Sequence, residues 1–244
     1  MKVSLWLTIL FLTASGTLVD LSAKTPQRRP LRKLRVVIDA SHDGGAWWFP
    51  QGPEFDPRRP HQGSVLAEYL KRRGWEVVEV PRGAKIANQF RGASIVVRMN
   101  LFGVYENSEV VAYQRFVRNG GSLLLVEGFV RDREADNDSV ARQFGVRFEG
   151  MVDEPAMHGT FADTFMRGVG DVAFQNGSIV VKYPRFTQPL AYVSNERLVM
   201  GTVRYGRGRI IFLSSVFTML HVPQPFTMRL SDELARSHSR KKRR

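Results

Sequence analysis

SIVVRMNLFGVYENSEVVAYQRFVRNGGSLLLVE, residues 94–127, decides the fold. It opens on Ser94-Ile95-Val96-Val97-Arg98, a run of β-branched residues too short for a helix and apolar enough for a strand buried on both faces. Asn107 to Asn119 then switches to helical spacing, with Val110, Val111, Tyr113, Phe116 and Val117 turned inward. Gly120-Gly121 stops that helix and releases Leu123-Leu124-Leu125-Val126-Glu127, the most apolar strand of the chain. A strand, a helix and a second buried strand within about thirty residues make a βαβ unit, whose two strands run parallel.

The same alternation extends in both directions. Upstream, Leu34 to Asp39 reads as a strand ending in a carboxylate, and His61 to Arg73 as a helix with Val65, Leu66, Tyr69 and Leu70 on one face, closed by Gly74. Trp75 to Val80 is the next strand, stopped by Pro81, and a short helix precedes Ser94. Downstream, a helix through Val140, Ala141 and Phe144 leads into Gly145-Val146-Arg147-Phe148. Residues 150–195 read as short strands and loops, with turns at Asn176-Gly177, Pro184 and Pro189. Leu198 to Tyr205 and Arg209 to Ser214 form a hairpin across Gly206-Arg207-Gly208, and a last helix covers Phe226 to Ser237. No internal repeat is present. The expected architecture is α/β: a doubly wound, mostly parallel sheet in three layers, of the flavodoxin-like kind.

The ends differ in character from this middle. Met1-Lys2 is followed by a charge-free run from Val3 to Val19 and small residues at Ala14-Ser15-Gly16 and Ser22-Ala23, the pattern of a secretion signal; it is short for a membrane span. The expected organisation is a signal peptide or N-terminal anchor over 1–23, a basic linker over 24–33, a single α/β domain over 34–235 and a basic tail over 236–244. The expected location is exported, periplasmic or extracellular, with membrane anchoring as the alternative. The formal charge is +13, but Lys24, Arg28, Arg29, Arg32, Lys33 and Arg35 and then Arg240 to Arg244 supply eleven of the thirteen. The middle is therefore nearly balanced along the sequence, which argues against specific nucleic-acid binding and leaves the ends to touch a membrane or to stay solvated. With no cysteine, the chain has no disulfide, no thiolate metal site and no thiol nucleophile.

In a parallel sheet, ligands bind beyond the carboxyl ends of the strands. The residues there are Asp39, His42 and Asp43 after the first strand, Arg98 and Asn100 at the third, and Glu127 after the fourth. Asp39 with Glu127 is a candidate acid/base pair, and His42 with Asp43 a candidate metal pair. The blander roles are an Asp39 that caps its own turn, a His42 held in its loop, and an Arg98 that pairs with Glu127 or Asp39. Trp47 and Trp48, beside Gly44-Gly45, can stack against a sugar or other ring, or can plug the end of the sheet. His61, His158 and His221 have no partner by spacing. No Gly-Lys-Ser/Thr phosphate loop, Gly-x-Ser-x-Gly elbow or His-Glu-x-x-His helix occurs, and nothing points to a cofactor.

Two resemblances attach to these residues. Asp39-Ala40-Ser41-His42, the Gly-Gly step into Leu123-Leu124-Leu125, Phe144-Gly145-Val146 and Tyr205-Gly206-Arg207-Gly208-Arg209-Ile210-Ile211 together resemble the DUF4350 family, which is similar to class I glutamine amidotransferases. The resemblance spans about residues 34–215. It implies that the elbow after Val126 corresponds to the one carrying the amidotransferase thiol; here Glu127-Gly128 stands there, and a carboxylate cannot do that acyl transfer unaided. Val36 to Gly45 is also similar to the opening of zinc-dependent N-acetylmuramoyl-L-alanine amidases, in which the His is a zinc ligand. Ile86-Ala87-Asn88 and Val97-Arg98-Met99-Asn100 echo them too, but their later His ligand would fall on Arg98 or Met99, so the ligand set is incomplete. The leading expectation is a non-catalytic exported domain binding a small ligand or an envelope protein at its strand ends. The alternative is a metal-assisted hydrolase of cell-envelope amides or glycans.

Overall fold

A computed structural model describes residues 33–39, 41–42, 64–80, 83–99, 105–127, 139–159, 165–215 and 224–239. All belong to one compact unit, Lys33–Arg244, which holds every described strand and helix and so carries the packing it needs to fold by itself. The elements are β1 (Arg35–Asp39), α1 (Ser64–Arg72), β2 (Glu76–Val80), β3 (Ile95–Met99), α2 (Asn107–Arg118), β4 (Ser122–Val126), α3 (Ser139–Gln143), β5 (Arg147–Met157), β6 (Val172–Lys182), β7 (Gln188–Val193), β8 (Arg197–Tyr205), β9 (Gly208–Leu213) and α4 (Gln224–Ser239). A turn of 3₁₀ helix at Ile86–Gln89 supplies the short helix expected before β3.

Seven strands form one sheet in the order β2-β1-β3-β4-β9-β8-β7. The first five run parallel, with Val37 beside Val78 and Val96, Val97 beside Leu124, and Leu124 beside Ile211; β8 and β7 close the edge antiparallel. Side chains alternate across a strand, and both faces of β1, β3, β4 and β9 are buried. Val36, Ile38, Val97, Leu124 and Ile211 enter one core with Leu66 and Leu70 of α1 and Phe226 and Leu230 of α4. Val37, Val96, Leu123, Leu125 and Ile210 enter the other with Val110 and Phe116 of α2 and Val140 and Phe144 of α3. The continuous apolar runs in the sequence are therefore those of a parallel sheet covered on both sides.

Residues 150–195 depart from the expected short strands and loops. β5 and β6 are eleven residues each and pair as an irregular antiparallel ribbon with several shifts of register. His158 joins the ribbon to Tyr192 of β7 by two backbone hydrogen bonds of 2.8 and 2.7 Å. Asn176-Gly177 is not a turn but lies inside β6. A Cβ on Gly177 would stand 2.3 Å from the Phe174 ring and 2.9 Å from the Ser214 carbonyl, so the glycine marks close approach of two backbones. Pro189 is likewise within a strand, β7, where an outer position spares it the missing hydrogen bond.

Candidate functional site

β1, β3 and β4 end side by side, with Asp39 opposite Arg98, Arg98 opposite Leu125 and Met99 opposite Val126. Because alternate residues share a face, Asp39, Arg98 and the Glu127 that follows β4 all project toward α2. β1 and β3 flank the point where the strand order reverses, the place at which this topology offers a crevice.

α2 is aimed at that point by its own start. Glu106 caps the helix, and its own N–H donates to Oε2 of Glu109 at 3.0 Å, a reciprocal capping box. Tyr105, just before the helix, and Tyr113, two turns into it, then both reach the carboxyl end of β1. Asp39, fully buried, accepts hydrogen bonds from the Ser41 N–H at 3.0 Å and the Ser41 hydroxyl at 2.6 Å on Oδ1. Its Oδ2 accepts from the Tyr105 hydroxyl at 2.7 Å and from the Tyr113 hydroxyl. Four donors occupy the roughly four lone-pair positions of the carboxylate. These bonds make Asp39 an anchor between β1 and α2, and the turn-capping role expected of it is present.

Arg98, fully buried, places Nη1 3.5 Å from Oε2 of Glu127 and its guanidinium 5.3 Å from the centre of the Tyr105 ring. A cation in this position gains from the ring face as well as from the carboxylate. His42 lies 4.1 Å, centroid to centroid, from the other partner of that cation, the Tyr105 ring, and its Nε2 is 3.3 and 3.2 Å from the two carboxylate oxygens of Glu109. Tyr113 is held with its proton on: burial, then the charge of Asp39, the nearby Tyr105 and the hydrogen bond to Asp39 push its pKa well above 10, against a smaller opposite effect of Arg98.

The structure therefore brings together Asp39, His42, Arg98 and Glu127 around α2. Asp43, Trp47, Trp48 and Asn100, like His61 and His221, lie outside the described residues. Among the described residues no three His, Asp or Glu side chains are grouped to hold a metal ion, and His42 has its Nε2 on Glu109. Sequence reasoning missed Tyr105, Glu109 and the polar role of Tyr113, which it placed only in the core. The available signal was a tyrosine on the buried face of a helix that follows a carboxylate-ended strand, since a buried phenol needs an acceptor.

No protein-family model matches the sequence, and no curated protein does. Among solved structures the chain is similar to the mmIFT52 N-terminal domain, at 9% identity and TM-score 0.61, over 86% of this chain and 99% of that one. It is similar to a cytoplasmic protein of Salmonella typhimurium at 13% identity and TM-score 0.58, over 83% of this chain and 97% of that one. A protein described as ThuA-like from Bacteroides uniformis shares 10% identity at TM-score 0.54, over 86% of this chain and 93% of that one. At such identities the likeness shows the fold alone: an α/β domain with a mostly parallel sheet and a small antiparallel ribbon.

Proposed function

We propose that this chain is an exported, non-catalytic domain that binds a small ligand or a protein partner at the carboxyl ends of its parallel strands. The observation that carries the reading is the saturation of Asp39 by four hydrogen bonds, together with the engagement of Glu127 by Arg98 and of His42 by Glu109. Polar groups that satisfy one another stiffen a binding rim, whereas a general base must have a lone pair to give. Glu127 stands where the amidotransferase resemblance would put a thiol, which supports binding over acyl transfer. The finer architecture belongs to the same reading: a doubly wound sheet in three layers, supported by α1 and α4 packing into one core and α2 and α3 into the other. Export is supported by the charge-free run after Met1-Lys2.

The test is a thermal-shift titration of residues 33–244 with muropeptides, oligosaccharides and Zn²⁺, repeated on His42→Ala and Glu127→Ala. A ligand that binds only the folded state raises the midpoint as its concentration rises. The binding reading expects stabilisation by an organic ligand without metal, weakened in both variants. Stabilisation by Zn²⁺ that both variants lose, with amide or glycan cleavage, would replace it by the hydrolase.

A further inference from the structure

The near balance of charge along the folded part conceals a segregation in space. At the end of the molecule where the parallel strands begin, four segments meet: 114–121, 141–148, 180–189 and 202–210. Each carries two or more lysines or arginines, and none carries an aspartate or glutamate. Their contact is direct. Pro184 packs at Gly145, Phe144 packs edge to face with Tyr205 at 5.0 Å, the Arg118 guanidinium donates to the Tyr205 hydroxyl at 3.2 Å, and the Arg207 N–H donates to the Arg118 carbonyl at 3.0 Å. Arg118, Arg142, Arg147, Lys182, Arg185 and Arg207 are all exposed. Glu149, 2.6 Å from Arg147, offsets one of these six charges. Tyr183 and Phe186 stand out between the cations, 46% and 85% exposed, with Arg185 beside the Phe186 ring.

The first described strand begins at this pole and the last described helix ends there. β1 begins here, so the basic stretch Lys24 to Lys33 is joined to the fold at this end. α4 finishes here as well, since its Leu234 carbonyl accepts from the Ser122 hydroxyl at the start of β4 at 2.6 Å, and the basic residues 240–244 follow it in sequence. We infer that this pole docks on an anionic lipid bilayer, with the cations over the headgroups and Phe186 and Tyr183 in the interface. Basic residues near an anionic surface and aromatic rings at headgroup depth are the two contributions such docking needs. A bilayer is favoured because Phe186 crowns a proline-containing turn and is 85% exposed, which lets its ring enter the headgroup layer. The pole lies at the opposite end of the strands from Asp39 and Glu127, so the inference stands apart from the reading of that site.

The test is sedimentation of residues 33–244 with vesicles of phosphatidylcholine alone or with 30% phosphatidylglycerol, chosen as the probe composition. Binding is expected to the anionic vesicles and to weaken with salt. Each basic residue strengthens such binding roughly fivefold, so Lys182→Gln/Arg185→Gln/Arg207→Gln lowers it on the order of a hundredfold, and Phe186→Ser lowers it severalfold, both with unchanged melting temperatures. Equal retention on neutral and anionic vesicles would overturn the inference. So would loss on deleting residues 240–244 while the triple variant binds normally, or tighter binding to a 20-nucleotide single strand that depends on the same residues.

Discussion

The hydroxyl of Tyr113 is the most constrained group at the candidate site. Its folded pKa is raised, so the protonated form is favoured on folding and the stability it contributes is complete below the unfolded value of about 10. That contribution is lost as the pH rises from there through the folded value, at up to about 1.4 kcal/mol per pH unit while only the unfolded chain ionises. Tyr113→Phe is expected to cost about 2 kcal/mol at neutral pH, the worth of a buried hydrogen bond to a charged group. It is also expected to lose less stability than the wild type between pH 9 and 11, as read by urea unfolding at each pH. Equal slopes in the two proteins would remove Tyr113 from the alkaline transition. This network shows what a sequence can disclose of a site. Asp39, His42, Arg98 and Glu127 were visible because strand ends in a parallel sheet are where polar residues stand out from an apolar run. Tyr105 and Glu109 were not, because their partners are fixed by the approach of α2 to β1, and their separations from Asp39 and His42, 66 and 67 positions, carry no periodic signal.

Elements followed periodicity wherever burial imposed it. The buried parallel strands and the helices between them were legible from their apolar spacing, and α4 extends two residues beyond its expected bounds at each end. The β5–β6 ribbon was not legible, because its exposed and buried positions do not alternate cleanly and its register shifts several times. Asn176-Gly177 misled for the same reason that glycine generally does: it serves a turn and a close approach equally well. The β8–β9 connection carries the second kind of glycine too. Gly206 and Arg207 make the turn, while Gly208 begins β9 against the end of α2. A Cβ there would lie 2.1 Å from the Gly121 carbonyl oxygen and 2.2 Å from that of Val117, both of them backbone that cannot step aside alone. Gly208→Ala is expected to destabilise by about 3 kcal/mol, whereas Arg207→Ala, at an exposed turn position, stays within roughly 0.5 kcal/mol. Chemical denaturation of the two variants side by side decides it, and a tolerated Gly208→Ala would mean that α2 and β9 approach less closely than described.

At the scale of the whole unit, the sheet separates two cores, and the ribbon is the element that belongs to both. Met157, Val172 and Phe174 enter the core shared with α1 and α4, while Phe148 and Val180 enter the one shared with α2 and α3. A βαβ sheet with a hairpin appended only at one edge could lose the hairpin first. Here the ribbon is also tied to β7 through His158 and to the end of β9 by the Ser178 N–H, which donates to the Ser214 carbonyl at 2.7 Å. Detaching it would expose apolar surface on both faces of the sheet and break ladder hydrogen bonds at two strands. The physical expectation is therefore a single cooperative transition, in which damage to either core is felt by the other. Phe148→Ala and Phe174→Ala, one in each core, should each cost about 3–5 kcal/mol and lower the melting midpoint by roughly 6–20 °C. In both variants, built on Trp6→Phe/Trp47→Phe/Trp48→Phe so that Trp75 alone fluoresces, backbone circular dichroism and the fluorescence of Trp75, buried in the α1 core, should move together along one curve. A Phe148→Ala protein whose circular dichroism shifts while Trp75 melts at the wild-type temperature would show two independent halves instead, with the ribbon stabilising only the side it was cut from.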